Sequence, residues 1–207
     1  MDYYLFVLTA LAAAVLPGAD FAVVTKNTLA LGRAGGQATA LGVGAGLLIH
    51  TTAAALGLSV IITQSAYAFE LIKYAGAIYL FYIGVEALRS AKSAQAMLIE
   101  ADEAASKSNF FSCFRQGALT NALNPKASVF YLTLLPQFIN PAADSIPQLA
   151  GLGLTAVLIV TAWFLLLAFT LHRVRRYFEN AAFQVNFQRL TGLLLITFGI
   201  KLALMRE

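Results

Sequence analysis

The chain has 207 residues, of which 59% are hydrophobic and only 12% charged, with a formal net charge of +4. A soluble domain carries roughly twice that share of charge, so water is not the main solvent of this protein. The single Cys113 excludes an intramolecular disulfide and a cysteine-rich metal site, and the basic excess sits between apolar runs, a pattern that orients membrane proteins and does not mark a nucleic-acid binder.

Six apolar segments follow in chain order: Tyr3 to Val24, Gln37 to Ile62, Phe69 to Leu88, Phe110 to Phe138, Ile146 to Leu171 and Phe187 to Leu204. Within them, Leu41 to Ile62 and Ile146 to Leu171 each exceed 20 residues without a Lys, Arg, Asp or Glu, long enough to cross a bilayer as a helix. Backbone amides left unsatisfied in hydrocarbon are costly, and the alternating pattern of a membrane barrel is missing. The expected fold class is therefore an all-α integral membrane protein of about six transmembrane helices. Met1 is followed by Asp2 and then by apolar residues, with no basic region of a secretory signal, so the first segment is expected to be retained.

Lys and Arg concentrate in three connections: Lys26 and Arg33 after the first segment, Arg89, Lys92, Lys107 and Arg115 after the third, and Arg173, Arg175, Arg176 and Arg189 after the fifth. Basic loops stay cytoplasmic, so these three are expected inside, with both termini outside if all six segments span. The polar stretch of about 89–109 divides the chain into two halves of three segments, giving one transmembrane domain over 1–207 with repeat one at about 1–88 and repeat two at about 110–207. Three spans per half would invert the second copy. Each half also opens with a proline-interrupted helix, Leu16-Pro17-Gly18-Ala19-Asp20-Phe21 and Leu123-Asn124-Pro125-Lys126-Ala127-Ser128, as in transporters built from two inverted three-helix repeats.

An ionisable group inside a membrane segment costs roughly 2.5 to 3.5 kcal/mol on insertion scales and calls for a reason. Asp20 and Lys126 follow the two breaks, and His50 lies in the middle of an apolar run. A cation or a freed helix N-terminus holds an α-carboxylate, a carboxylate or freed carbonyls hold an α-ammonium, and Asn121 and Asn124 add amides. Asp20 and Lys126 suit an ion pair across the halves. His50 titrates near physiological pH, which suits proton coupling, with Asp20 as the other proton carrier; a neutral histidine bonded between helices is the packing alternative. Gly42, Gly44 and Gly46 read as a small face for close helix approach. No nucleotide-binding Gly-rich loop, hydrolase elbow or clustered metal ligands occur in the sequence, so neither ATP-driven transport nor enzymatic chemistry is expected, and no cofactor.

The stretches Pro17-Gly18-Ala19-Asp20-Phe21, Gly42-Val43-Gly44-Ala45-Gly46 through His50, Ala75-Gly76-Ala77-Ile78-Tyr79-Leu80 to Gly84, and above all Gly117-Ala118-Leu119-Thr120-Asn121-Ala122-Leu123-Asn124-Pro125-Lys126 with Pro136-Gln137-Phe138 resemble the LysE family of amino-acid exporters, in its homoserine and threonine efflux branch. The resemblance covers nearly the whole chain. It departs at Ala19, where the family commonly has a second proline. It implies secondary, proton-driven export of small amino acids across the bacterial inner membrane, with Asp20, Asn124, Pro125 and Lys126 at the transport site; the helix breaks and amides themselves add Pro17, Gly18 and Asn121 as candidates. The implied partners are the amino acid, protons and the lipid bilayer, with no nucleic acid; a homo-oligomer is left open. An uncoupled facilitator and a noncatalytic membrane subunit are the competing readings.

Overall fold

The computed structural model describes residues 3–16, 18–58, 109–140 and 142–178, the last seven as backbone, together with scattered helical positions between 67 and 89 and between 185 and 200. The third and sixth apolar segments are represented only by those scattered positions. Pro17 and residues 90–108 of the expected linker lie outside the described residues. Among the described residues all regular structure is helical.

Helix α1 (Tyr3–Val15) ends at the first break, and α2 (Ala19–Ala53) starts directly after it. Helix α2 is two arms. Gly32 sits at φ 72° and ψ −169°, a backbone region open essentially to glycine, and the chain reverses there. On a straight helix residues 27 and 39 would be about 18 Å apart. Instead, Asn27 Nδ2 donates to Thr39 Oγ1 at 2.8 Å, and a Cβ on Gly36 would collide with the Thr28 hydroxyl. This corrects the expected boundaries: the first apolar segment runs on to residue 31, the second starts at 33, and the connection is a single glycine rather than a loop. Lys26 is an exposed position on the first arm, and the Arg33 guanidinium stacks 4.6 Å from the Phe169 ring centroid. The second arm continues as a π-helical turn (Ala54–Leu58), and residues 33–58 together reach about 39 Å, enough to cross hydrocarbon.

After Asn109, whose side chain caps the Ser112 amide at 2.9 Å, α3 (Phe110–Ala122) crosses the second arm of α2 at very close range. A Cβ on Gly42 would lie 2.0 Å from the Phe114 carbonyl oxygen, and one on Gly117 2.2 Å from that of Thr39, so the two backbones touch. Gly46 belongs to the same face, but Gly44 points at Thr161 of another helix. Residues two apart on a helix diverge by about 200°, which splits the expected glycine face in two.

The second break follows. Short helix α4 (Pro125–Val129) leads into a π-helical turn (Phe130–Leu134) and a 3-10 turn (Leu135–Phe138), and α5 (Ser145–Phe178) closes the bundle. Phe6 of α1 is fully buried, 6.3 Å from the Phe130 ring and edge-on to Phe138 at 5.2 Å, which pins α1 over the second break. Residues Ser145–Leu171 are long and apolar enough to span a membrane, and Leu48, Ile49, Leu158 and Leu166 face outward, where lipid would solvate them.

Candidate functional site

Both breaks are set by a proline four residues after a carbonyl. A helical carbonyl at i accepts from the N–H at i+4, and proline has none, so Pro17 in the sequence leaves the Ala13 oxygen without its helical donor and Pro125 does the same for Asn121, whose oxygen accepts instead from the Asn124 amide at 2.9 Å. Each oxygen is also reached by an ionisable side chain from elsewhere. The Lys126 ammonium donates to Ala13 O at 3.1 Å and to Leu16 O at 3.2 Å. His50 Nε2 lies 3.0 Å from Asn121 O. A carbonyl only accepts, so Nε2 carries the proton there.

The second break is also capped locally. Asn124 Oδ1 accepts from the Lys126 amide at 2.9 Å and Pro125 takes the first position of α4, a favoured helix start. The other end of that amide, Asn124 Nδ2, donates to Asp20 Oδ2 at 2.8 Å, and Asn121 Nδ2 donates to the same oxygen at 2.9 Å. Asp20 is 5% exposed, Asn124 4% and Asn121 0%. Burial at that level is tolerable for a carboxylate only with such donors.

The arrangement is crosswise. Asp20 after the first break is held by the asparagines of the second, and Lys126 after the second is held by the carbonyls of the first. Among the described residues Asp20 and Lys126 share no hydrogen bond; their opposite charges still attract each other, while their hydrogen bonds go to the opposite break. Gly18 leaves room for it, since a Cβ there would stand 3.3 Å from Lys126 Nζ. Thus Gly18, Asp20, His50, Asn121, Asn124, Pro125 and Lys126 form one connected cluster.

Beside the cluster is a cavity of about 40 Å³, with Asp20, Asn121, Lys126 and Tyr131 in its wall. That is room for roughly three water molecules. Asp20 Oδ1 and Asn121 Oδ1 are buried and have no hydrogen-bond partner among the described residues. Two orphan acceptors next to an ammonium form a site for a ligand that carries both donors and a negative charge.

Sequence reasoning missed Tyr131, which is 2% exposed, stacks 5.7 Å from the His50 ring, accepts from Thr51 and donates to the Gly153 carbonyl. It also missed the alanines of α1. Both signals were present: Ala10, Ala13 and Ala14 recur at helical spacing, as do Ala127 and Tyr131, and all line the cavity. Among the described residues no three His, Cys, Asp or Glu side chains gather as a metal site.

Residues 11–206 match the family model of LysE type translocators. The chain is 41% identical over 194 residues to a Bacillus subtilis protein described as uncharacterized membrane protein YrhP, covering 92% of each. It is 31% identical to the threonine efflux protein of Escherichia coli K12, over 92% of this chain and 91% of that one, and 29% identical to the homoserine/homoserine lactone efflux protein of Salmonella typhi, over 76% and 74%. No solved structure matches. The chain belongs to the LysE family of translocators.

Proposed function

We propose that the protein exports small neutral amino acids across the bacterial plasma membrane as a proton-coupled secondary transporter. The observation that carries this reading is a pair of buried acceptors without partners among the described residues, Asp20 Oδ1 and Asn121 Oδ1, on residues that line one cavity with Lys126. The acceptors suit an α-ammonium. Lys126 spends two of its three donors on Ala13 and Leu16, which leaves one for an α-carboxylate. The names of the efflux relatives support the direction of transport. In this reading 1–207 is one transporter domain of two inverted repeats, with the connections after the first, third and fifth spans in the cytoplasm.

Proton coupling is assigned to His50, which reaches Asp20 through Asn121: the imidazole bonds the Asn121 carbonyl and the Asn121 amide bonds the carboxylate. The same bond supports a second reading, an uncoupled facilitator in which His50 only ties α2 to the second break. Uphill flux decides between them.

The test of export is accumulation of amino acids outside cells loaded with dipeptides. Asp20→Asn and Lys126→Gln should each abolish most efflux at unchanged membrane levels of protein. Full efflux by both variants would overturn the assignment of the site.

A further inference from the structure

Resting on the exporter reading, the composition of the cavity wall also limits the side chain of the substrate. Apart from Asp20, Asn121, Lys126 and Tyr131, the wall is apolar: Ala10 and Ala14 from α1, Ala127 from α4, and Ala156, Val160 and Phe164 from one face of α5. The polar groups are already committed. Asp20 Oδ2 is filled by two asparagines, Lys126 by two carbonyls, and the Tyr131 proton by Gly153. What remains, two acceptor oxygens and one ammonium donor, is the complement of an amino acid's own backbone groups. The rest of the wall is alanine, leucine, valine and phenylalanine carbon, which offers a side-chain hydroxyl, amide or charge no partner.

We propose that the transported side chain is small and apolar, so that this protein carries valine in preference to threonine. The two are isosteres, differing by a methyl in place of a hydroxyl. Volume therefore cannot explain a preference between them, and only the missing partner can. A threonine hydroxyl pressed against alanine and phenylalanine loses its water and gains no bond, a handicap of roughly 10- to 100-fold. Lysine and glutamate side chains, which would bury an unpaired charge, should be excluded altogether.

The experiment uses the full chain purified into liposomes, with labelled L-valine and L-threonine as competing substrates and thermal stabilisation by each amino acid as a binding readout. The expected result is a kcat/KM for valine at least about tenfold above that for threonine. Val160→Thr, which adds a hydroxyl to the wall at constant volume, should narrow that ratio several-fold. Ala156→Leu, which narrows the cavity, should weaken transport of valine more than that of alanine. Transport of threonine equal to or faster than valine overturns this inference and leaves the exporter reading standing. Failure of every amino acid to be transported or to stabilise the protein overturns both.

Discussion

Asp20 and Asn124 are 104 positions apart in sequence and 2.8 Å apart in space. One asparagine side chain therefore does two jobs: its oxygen starts α4 and its nitrogen holds the buried carboxylate across the molecule. Asn124→Asp separates them. An aspartate still caps the Lys126 amide but presents oxygen, not N–H, to Asp20. We expect folding to survive at a cost of about 1 to 3 kcal/mol from the repelled or unsatisfied carboxylate, and efflux to fall by at least tenfold. Asn124→Ala, which loses the cap as well, should cost a further ~1 kcal/mol. Melting of the detergent-solubilised protein beside efflux from loaded cells checks both; parent-level efflux by the Asp variant would show that the amide bond to Asp20 is dispensable.

At the α2–α3 crossing the obstacle to a side chain is backbone, which has nowhere to go. Gly42→Ala and Gly117→Ala should each destabilise by about 1 to 3 kcal/mol, the usual cost of overpacking. Gly57→Ala is the control, because among the described residues nothing lies within 4 Å of its added Cβ, and it should be neutral or slightly stabilising. Equal melting temperatures for Gly42→Ala and Gly57→Ala would contradict the contact.

For His50 the two available substitutions part the two roles. Gln carries an N–H that can still donate to the Asn121 carbonyl, but it does not titrate; Ala removes the bond. His50→Gln should hold its stability within about 0.5 kcal/mol, and His50→Ala should lose about 1 to 3 kcal/mol. Under an imposed pH gradient in liposomes, the Gln variant is expected to exchange substrate downhill and fail to concentrate it. Concentration with the parent's pH dependence would reassign coupling to Asp20.

The orientation is testable at the reversal. Ala34 is exposed two residues beyond Gly32, whereas the native Cys113 is 1% exposed and should stay silent to thiol reagents. Ala34→Cys should react in intact cells with a permeant maleimide and not with an impermeant one. Rapid impermeant labelling would place the basic connections outside.

How much of this was legible depended on how local its cause is. Pro17 and Pro125 announce themselves, and the rule that a proline releases the carbonyl four residues back already points to Ala13 and Asn121. The side chains that reach those oxygens come from 71 and 113 residues away, which no local pattern records. The exchange of partners between Asp20 and Lys126 was hidden for the same reason: two opposite charges in related places suggest a pair, and only the packing shows that the asparagines arrive first. The reversal at Gly32 is obscured by its neighbours. Gly35 and Gly36 look equally able to turn, yet both are used for tight packing against Asn27, Leu31 and Thr28, while Gly32 alone has the positive φ and open space around it.

That reversal has a mechanical side. Asp20 lies twelve residues from Gly32 along a continuous helical arm, a radius of about 18 Å, so a rotation of about 10° at the glycine would sweep the carboxylate through about 3 Å. Such a swing is larger than the slack in its bonds to Asn121 and Asn124, whereas Asn27, five residues from the same point, would travel less than half as far and keep closer to Thr39 and Gln116. A pivot there would have one residue without a side chain as its fulcrum and would carry the buried acid of the site at its tip.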